Sequence, residues 1–152
     1  PGENLQMNYD EKLFVGYKWY DKNKIEPLFH FGHGLSYTDF KYSNLHISKS
    51  SENNFTISID ITNTGNHSGY EISQCYISFA DRGNEEPIKK LQGFDKTFIN
   101  SDETKKIEIC LDSRNFSTWD IETHQWQVKK GKFEILIGSS SNDIRLKDHI
   151  NL

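Results

Sequence analysis

The most regular pattern in the chain is strict alternation. Phe55, Ile57, Ile59 and Ile61 alternate with Thr56, Ser58, Asp60 and Thr62, and Ile107, Ile109 and Leu111 alternate with charged or small residues further on. A period of two is what a strand with one wet face requires, because successive side chains leave opposite sides of the backbone. Phe133, Ile135 and Ile137 repeat it near the C-terminus. Further β-prone runs lie between and around these: Tyr42 to Ile47, Tyr70 to Phe79, Leu91 to Ile99, Trp119 to Ile121, Gln125 to Val128, and Ile144 to Leu146. Polar clusters punctuate them at Asn63-Thr64-Gly65-Asn66, Asp81-Arg82-Gly83-Asn84, Asn100-Ser101-Asp102-Glu103, Lys129-Lys130-Gly131 and Ser139 to Asn142, where turns are expected. No helical period persists. Short strands at regular spacing predict an all-β domain over residues 41–152, a β-sandwich of immunoglobulin or fibronectin type III-like kind with about seven strands. The cysteine pair that brackets a tryptophan in antibody domains is absent, which favours the fibronectin-like version.

Residues 1–40 read differently. Residues 1–12 are polar and predict a loop. Leu13 to Tyr20 is bulky and nearly continuous in apolar character, the pattern of a strand covered on both faces. Asp21-Lys22-Asn23-Lys24 predicts a turn, and Pro27 holds Glu26 extended. The chain then enters Phe29-His30-Phe31-Gly32-His33-Gly34-Leu35-Ser36-Tyr37-Thr38. Nothing in this segment closes a sheet around Tyr17 and Trp19. It is expected to lie on a partner surface, either the later domain or chain outside this sequence.

Composition narrows the classes. Apolar residues make up 34% and aromatic ones 13%, enough bulk for a sandwich core. The 18 basic and 22 acidic residues are interspersed and the net charge is −4, so there is no basic face for nucleic acid. No apolar run approaches the roughly 20 residues of a spanning helix, and no membrane partner is expected. Cys75 and Cys110 fall in separate strand-like runs and read as buried or half-buried free thiols. Sequons occur at Asn54, Asn66 and Asn115, triplets that arise readily in an Asn- and Ser-rich chain. Pro1-Gly2 carries neither methionine nor leader, so the native N-terminus is expected upstream and compartment is unread.

Candidate chemistry is sparse. Retaining glycoside cleavage needs two carboxyl groups about 5–5.5 Å apart. Asp120 and Glu122 could share a strand face at that spacing, but their polar surroundings predict a solvated hairpin tip. Glu85-Glu86 reads as a loop charge pair, and for Glu11, beside the run from Leu13, nothing supplies the apolar pocket that would raise its pKa for general-acid work. His30 and His33 lack the third and fourth ligands zinc needs unless His124 or His149 folds over them. Gly32-x-Gly34 is too short for a phosphate fingerprint. It reads as a sharp reversal using φ > 0. Catalytic, cofactor and metal residues are therefore expected to be absent. The aromatics Tyr17, Trp19, Tyr20, Phe29, Phe31 and Tyr37 could stack on sugar or glue two domains together. The second is favoured by their position between them. Of Trp119 and Trp126, one is expected in the core and one exposed.

Several motifs in order resemble the C-terminal end of glycoside hydrolase family 3, the β-glucosidases and β-xylosidases. They are Phe14-Val15-Gly16-Tyr17-Lys18-Trp19-Tyr20-Asp21, Glu26-Pro27-Leu28-Phe29, Phe31-Gly32-His33-Gly34-Leu35-Ser36-Tyr37-Thr38, Thr62-Asn63-Thr64-Gly65, Lys90-Leu91-Gln92-Gly93-Phe94, Thr123-His124-Gln125-Trp126, and Gly131 through Ser141. Lys12 stands where the family usually has glycine, and His30 where it has proline. The resemblance implies that residues 1–40 are the end of an α/β domain and an interdomain crossover, and that 41–152 are a fibronectin type III-like domain. It implies a retaining hydrolase whose aspartate nucleophile and glutamate acid/base lie in preceding domains. No residue here matches either carboxylate, so this chain alone is expected to be inactive. Phe31, Gly32, His33, Gly34, Leu35, Ser36 and Tyr37 are then an interdomain motif with a place at the substrate rim as its further use. The implied partners are the N-terminal catalytic domains, with carbohydrate, or a second copy met through the N-terminal aromatic segment, as further candidates. A stand-alone carbohydrate- or protein-binding module is the competing reading. It has no use for the aromatic segment in front of the sandwich. His33 leans the parent toward β-glucosidase over β-xylosidase.

Overall fold

A computed structural model describes residues 9–152, so the part of the N-terminal loop before Tyr9 lies outside the described residues. Nine strands follow a short helix, α1 (Tyr17–Asn23): β1 (Phe40–Ser51), β2 (Asn54–Asn63), β3 (Gly69–Phe79), β4 (Lys90–Ile99), β5 (Thr104–Leu111), β6 (Ser117–Asp120), β7 (Gln125–Val128), β8 (Lys132–Gly138) and β9 (Ile144–Asn151). One sheet has the order β1-β2-β5 and the other β4-β3-β8-β9, with every neighbouring pair antiparallel. Those seven strands are the expected sandwich. The pair β6–β7 is a separate hairpin at one end.

The alternation read from the sequence sets the core. Ile57, Ile59 and Ile61 are each 1% exposed and share one interior with Ile107, Ile109 and Leu111 of the same sheet. Cys75, Ile77, Ile99, Phe133, Ile135, Ile137 and Ile150 meet them from the other sheet. Phe116, at the end of a 3-10 turn over Ser113–Phe116, plugs one end of this core against Phe55 and Phe133, with edge-to-face ring contacts at 5.6 and 5.3 Å.

The outer faces of the two sheets differ. Register places Lys41, Ser43, His46 and Ser48 beside Thr56, Ser58, Asp60 and Thr62, and these beside Thr104, Lys106, Glu108 and Cys110. That face is polar throughout and suits water. On the other sheet the outward positions are Tyr70, Ile72, Gln74 and Tyr76 of β3, with Phe94, Lys96 and Phe98 of β4, Lys96 lying over the Tyr70 ring. Strand β3 is buried on both sides from Ser73 to Ser78. Tyr76, which points away from the sandwich core, has no exposed surface at all.

The N-terminal segment covers it. Tyr17 meets Tyr76 edge-on at 5.9 Å and stacks on Phe31 at 5.0 Å. The Tyr17 hydroxyl accepts the Leu91 N–H at 2.8 Å, and Lys89 pairs with Asp21 at 2.6 Å. The sandwich itself is thus a partner surface for the aromatic run. The run is not the strand its apolar continuity predicts. Gly16 sits at φ 57° and ψ −135°, a backbone region open in practice to glycine alone, and it breaks the run after Val15. Tyr17 and Asp21, one helical turn apart, can then face the sheet together. Asn23 donates to the Trp19 carbonyl at 2.9 Å, and Lys24 closes the helix in the left-handed conformation. Seven residues do not hold a helix in water, so α1 exists through its docking.

The thiols separate cleanly. Cys75 is fully buried and burial pushes its pKa up to about 12, whereas Cys110 faces outward on β5. A colorimetric thiol reagent at pH 8 should titrate Cys110 within minutes in the native chain and Cys75 only in denaturant. Rapid native reaction of both would contradict this core.

Candidate functional site

The loop from Phe31 to Thr38 is fastened at two points. At the first, Ser141 donates its N–H to the Phe31 carbonyl at 2.8 Å. The buried Gln74 amide donates to the carbonyls of Ser139 at 2.6 Å and Gly32 at 3.4 Å, and its oxygen accepts the Tyr76 hydroxyl at 2.5 Å. Gly32 has φ 82°, and a Cβ there would overlap the Gln74 amide. Its glycine is therefore required by backbone angle and by space, which is the sharp reversal expected of the motif. Gly34 is not at positive φ, so one glycine makes the reversal.

The second fastening is Asn63, which has no exposed surface. Its side-chain oxygen accepts the Thr38 hydroxyl at 2.5 Å and the Gly65 N–H at 3.1 Å. Its amide donates to the carbonyls of His67 at 2.8 Å and Ile99 at 3.1 Å. One side chain thus uses all four of its hydrogen-bonding positions to hold the start of β1, the β2–β3 turn and the end of β4 together.

Between the two fastenings the side chains point outward. Leu35 and Tyr37 are 95% and 96% exposed, and Leu28 and Phe29 are also largely in water. Tyr70, Ile72, Phe94 and Phe98 continue this apolar surface over the sheet, with Tyr70 and Phe98 in ring contact at 5.0 Å. An open cleft of about 400 Å³ separates the loop from the start of β9. At its side Arg145 lies over the Tyr42 ring, donates to the Phe40 carbonyl at 2.8 Å and grips Asp143 at 2.7 Å. That hydrogen bond holds the Asp143 carboxyl below its ordinary range. Glu71, which accepts the Tyr42 hydroxyl at 2.7 Å, is shifted the other way by burial.

The other candidates lie elsewhere. His30 bonds Glu26 at 2.9 Å while His33 stacks on Phe29 at 5.5 Å, so the two imidazoles serve different partners. Glu85 pairs with Lys12 and Glu86 with Lys129. Asp120 and Glu122 are at the β6–β7 hairpin tip, where the Asp120 carboxylate accepts the N–H groups of Glu122 at 2.9 Å and Thr123 at 3.4 Å. Those bonds hold its pKa below the ordinary value, the wrong direction for a general acid. Trp119 and Trp126 do not divide into a core and a surface ring. They face each other across the hairpin and are 46% and 43% exposed. Gln74, Tyr76 and Asn63 carry the fastening yet escape a sequence reading: Gln74 and Tyr76 sit at outward strand positions, where polar residues look solvated, and Asn63 sits at an inward one, where periodicity asks for an apolar side chain. The run from Ile72 to Phe79 gives no signal of this, because Ser73, Gln74 and Ser78 interrupt its apolar character.

A sandwich of three and four antiparallel strands is of the fibronectin type III kind, and the fibronectin type III-like domain model matches residues 71–141. The whole chain is 43% identical to part of thermostable β-glucosidase B of Acetivibrio thermocellus, and 95% of it is 36% identical to part of β-glucosidase BoGH3A of Bacteroides ovatus. Each match spans 20% of the relative. Among solved structures it superposes over its full length on DesR, a β-glucosidase of Streptomyces venezuelae crystallised with D-glucose, at TM-score 0.94 and 34% identity, covering 20% of that chain. The glycoside hydrolase family 3 β-glucosidase of Bifidobacterium adolescentis gives the same score at 32% identity, with 23% of its chain covered. The chain thus spans about a fifth of the length of the relatives it matches. It corresponds to the C-terminal region of glycoside hydrolase family 3 β-glucosidases, including their fibronectin type III-like domain.

Proposed function

We propose that this chain is the C-terminal structural domain of a β-glucosidase, holding preceding catalytic domains in place and performing no chemistry itself. The parent enzyme in this reading removes terminal β-D-glucosyl residues with retention. The choice of glucosidase over xylosidase follows the names of the relatives. Residues 1–40 are the end of the preceding domain and the crossover, and 41–152 are the buttress. The loop Phe31–Tyr37 lies at the join, with Leu35 and Tyr37 turned toward the domain that docks there.

The single observation carrying this reading is the contrast between the two outer faces. One presents Ser, Thr and charged side chains to water. The other presents Tyr70, Ile72, Phe94 and Phe98 around the cation Lys96, and Tyr70 and Ile72 share a cleft with Leu35 of the loop. Burying such residues stabilises a contact by roughly 1.5–3 kcal/mol each, so an unpartnered face of this kind is an interface in waiting.

The test compares faces. In the full-length protein, Ile72→Glu with Phe98→Glu should lower the melting temperature by several degrees and depress aryl β-glucoside hydrolysis, by removing about 2–4 kcal/mol of docking energy. Thr62→Glu on the polar face should change neither. Equal effects from the two faces would defeat the docking reading, and turnover by the 152-residue chain alone would defeat the claim that it does no chemistry.

A further inference from the structure

A second exposed aromatic group sits at the opposite end of the sandwich. The loop at Gly32 fastens near Ser139, past the end of β8, whereas β6 and β7 follow the end of β5 and precede the start of β8. Trp119 and Trp126 are a directly opposed pair on one face of this hairpin, with ring centroids 5.5 Å apart and planes at 58°. Both keep nearly half their surface in water, and Ile121 beside them is 77% exposed. Neither ring is needed to close the core, which Phe116 already plugs.

Arg114 adds the polar half of the arrangement. Its guanidinium carbon lies 3.3 Å from the Trp126 ring centroid, so the indole fixes the guanidinium plane. Its backbone N–H caps to Asp112, but among the described residues the guanidinium makes no salt bridge or side-chain hydrogen bond. Five donors are therefore held in a fixed fork with no acceptor assigned to them. Asp112 caps the turn that carries Arg114, and Asp120 and Glu122 occupy the hairpin tip, so acidic groups outnumber the one guanidinium between residues 112 and 127 and disfavour a phosphate or carboxylate ligand. His124, 6.3 Å from Trp119 by ring centroids, and the exposed Gln125 complete the rim. A ligand suited to this place has apolar C–H faces for two indoles, neutral oxygens for the fork, and no negative charge.

We infer that the Trp119–Trp126 hairpin with Arg114 is a binding site for a neutral glycan chain, separate from the docking face. The indoles take the C–H faces of the sugar rings and the guanidinium donates to hydroxyl or ring oxygens. The site does not depend on the docking role, since it lies at the far end and uses none of the same residues. Its effect in a carbohydrate-active parent would be to retain the protein on polymeric material.

The experiment is native affinity electrophoresis of the full-length protein in gels containing hydroxyethyl cellulose or mixed-linkage β-glucan, both neutral, with titration of intrinsic fluorescence in parallel. Retardation is expected in at least one gel. Trp119→Ala with Trp126→Ala should weaken binding about tenfold or more, as is usual for exposed tryptophan anchors. Arg114→Ala, a surface change, should weaken it severalfold with an unchanged melting temperature. Aryl β-glucoside hydrolysis should stay at the parental rate in both variants. Absence of retardation in both gels would overturn the assignment, as would retardation of the Arg114 and tryptophan variants equal to that of the parent. Loss of hydrolysis in the Ile72 and Phe98 variants with retardation intact would separate this site from the docking face.

Discussion

Asn63→Ala should lower the stability of this domain by about 3–5 kcal/mol, at the extreme end of single substitutions. The side chain is fully buried and makes four hydrogen bonds, two as acceptor and two as donor. Alanine leaves the carbonyls of His67 and Ile99, the Thr38 hydroxyl and the Gly65 N–H without this partner. An unsatisfied buried group costs about 1–3 kcal/mol. Not all four costs are paid in full, because the turn at Thr64–Ser68 lies at the surface and water can reach part of it. Asn63→Asp is the sharper variant. It preserves both acceptor contacts but replaces the donating amide with an acceptor oxygen that faces two carbonyl oxygens, so it should be at least as damaging at neutral pH and partly recover in acid as the carboxyl protonates. Urea denaturation of wild type and both variants at pH 7 and pH 4.5 tests this. A loss below 1 kcal/mol for Asn63→Ala would show that the clip adds nothing the backbone does not already supply.

The same residue shows what a sequence can and cannot disclose about this fold. Strict alternation over Phe55 to Ile61 fixes which side of β2 faces the core, because a slip of one residue would turn every isoleucine to water. The sandwich and its turns were legible for that reason. Asn63 continues the same alternation on the buried side, at a position where periodicity asks for an apolar side chain. Only its partners on three other segments explain the amide, and these are 25 to 36 residues away in sequence for Thr38 and Ile99. The aromatic run before α1 misleads for a related reason. Its apolar density reads as strand, but Gly16 and the contacts of Tyr17 and Asp21 with β4 and its approach decide the local conformation. Tertiary contact overrides local preference over so short a stretch. The sharp reversal in the loop Phe31 to Tyr37 was legible through Gly32, whereas the outward turn of Leu35 and Tyr37 was not, since side-chain direction in a loop has no period.

Gly32→Ala should release the loop from the sheet at a cost of about 2–4 kcal/mol. Two effects combine. At φ 82° a non-glycine residue carries backbone strain of roughly 1–2 kcal/mol. The new methyl also occupies the space of the Gln74 amide, which must then give up its bonds to Ser139 and Gly32 and its contact with the Tyr76 hydroxyl. Displacing that amide leaves Tyr76 over an unpaired hydroxyl and loosens the Tyr17–Phe31 stack above it. Limited proteolysis should therefore cut the variant between residues 24 and 36 under conditions that leave the parent intact. Amide exchange at Ser141, whose N–H is bonded to the Phe31 carbonyl, should accelerate before the core strands do. The two contributions separate in a double-mutant cycle with Gln74→Ala. Gln74→Ala alone removes the fastening, and in its presence the methyl of Gly32→Ala meets no amide, so only the backbone strain remains to be added. The double variant should be less destabilised than the sum of the singles, by about 1–2 kcal/mol. Strict additivity would mean that the steric conflict with Gln74 does not exist and that Gly32 is required for its backbone angle alone.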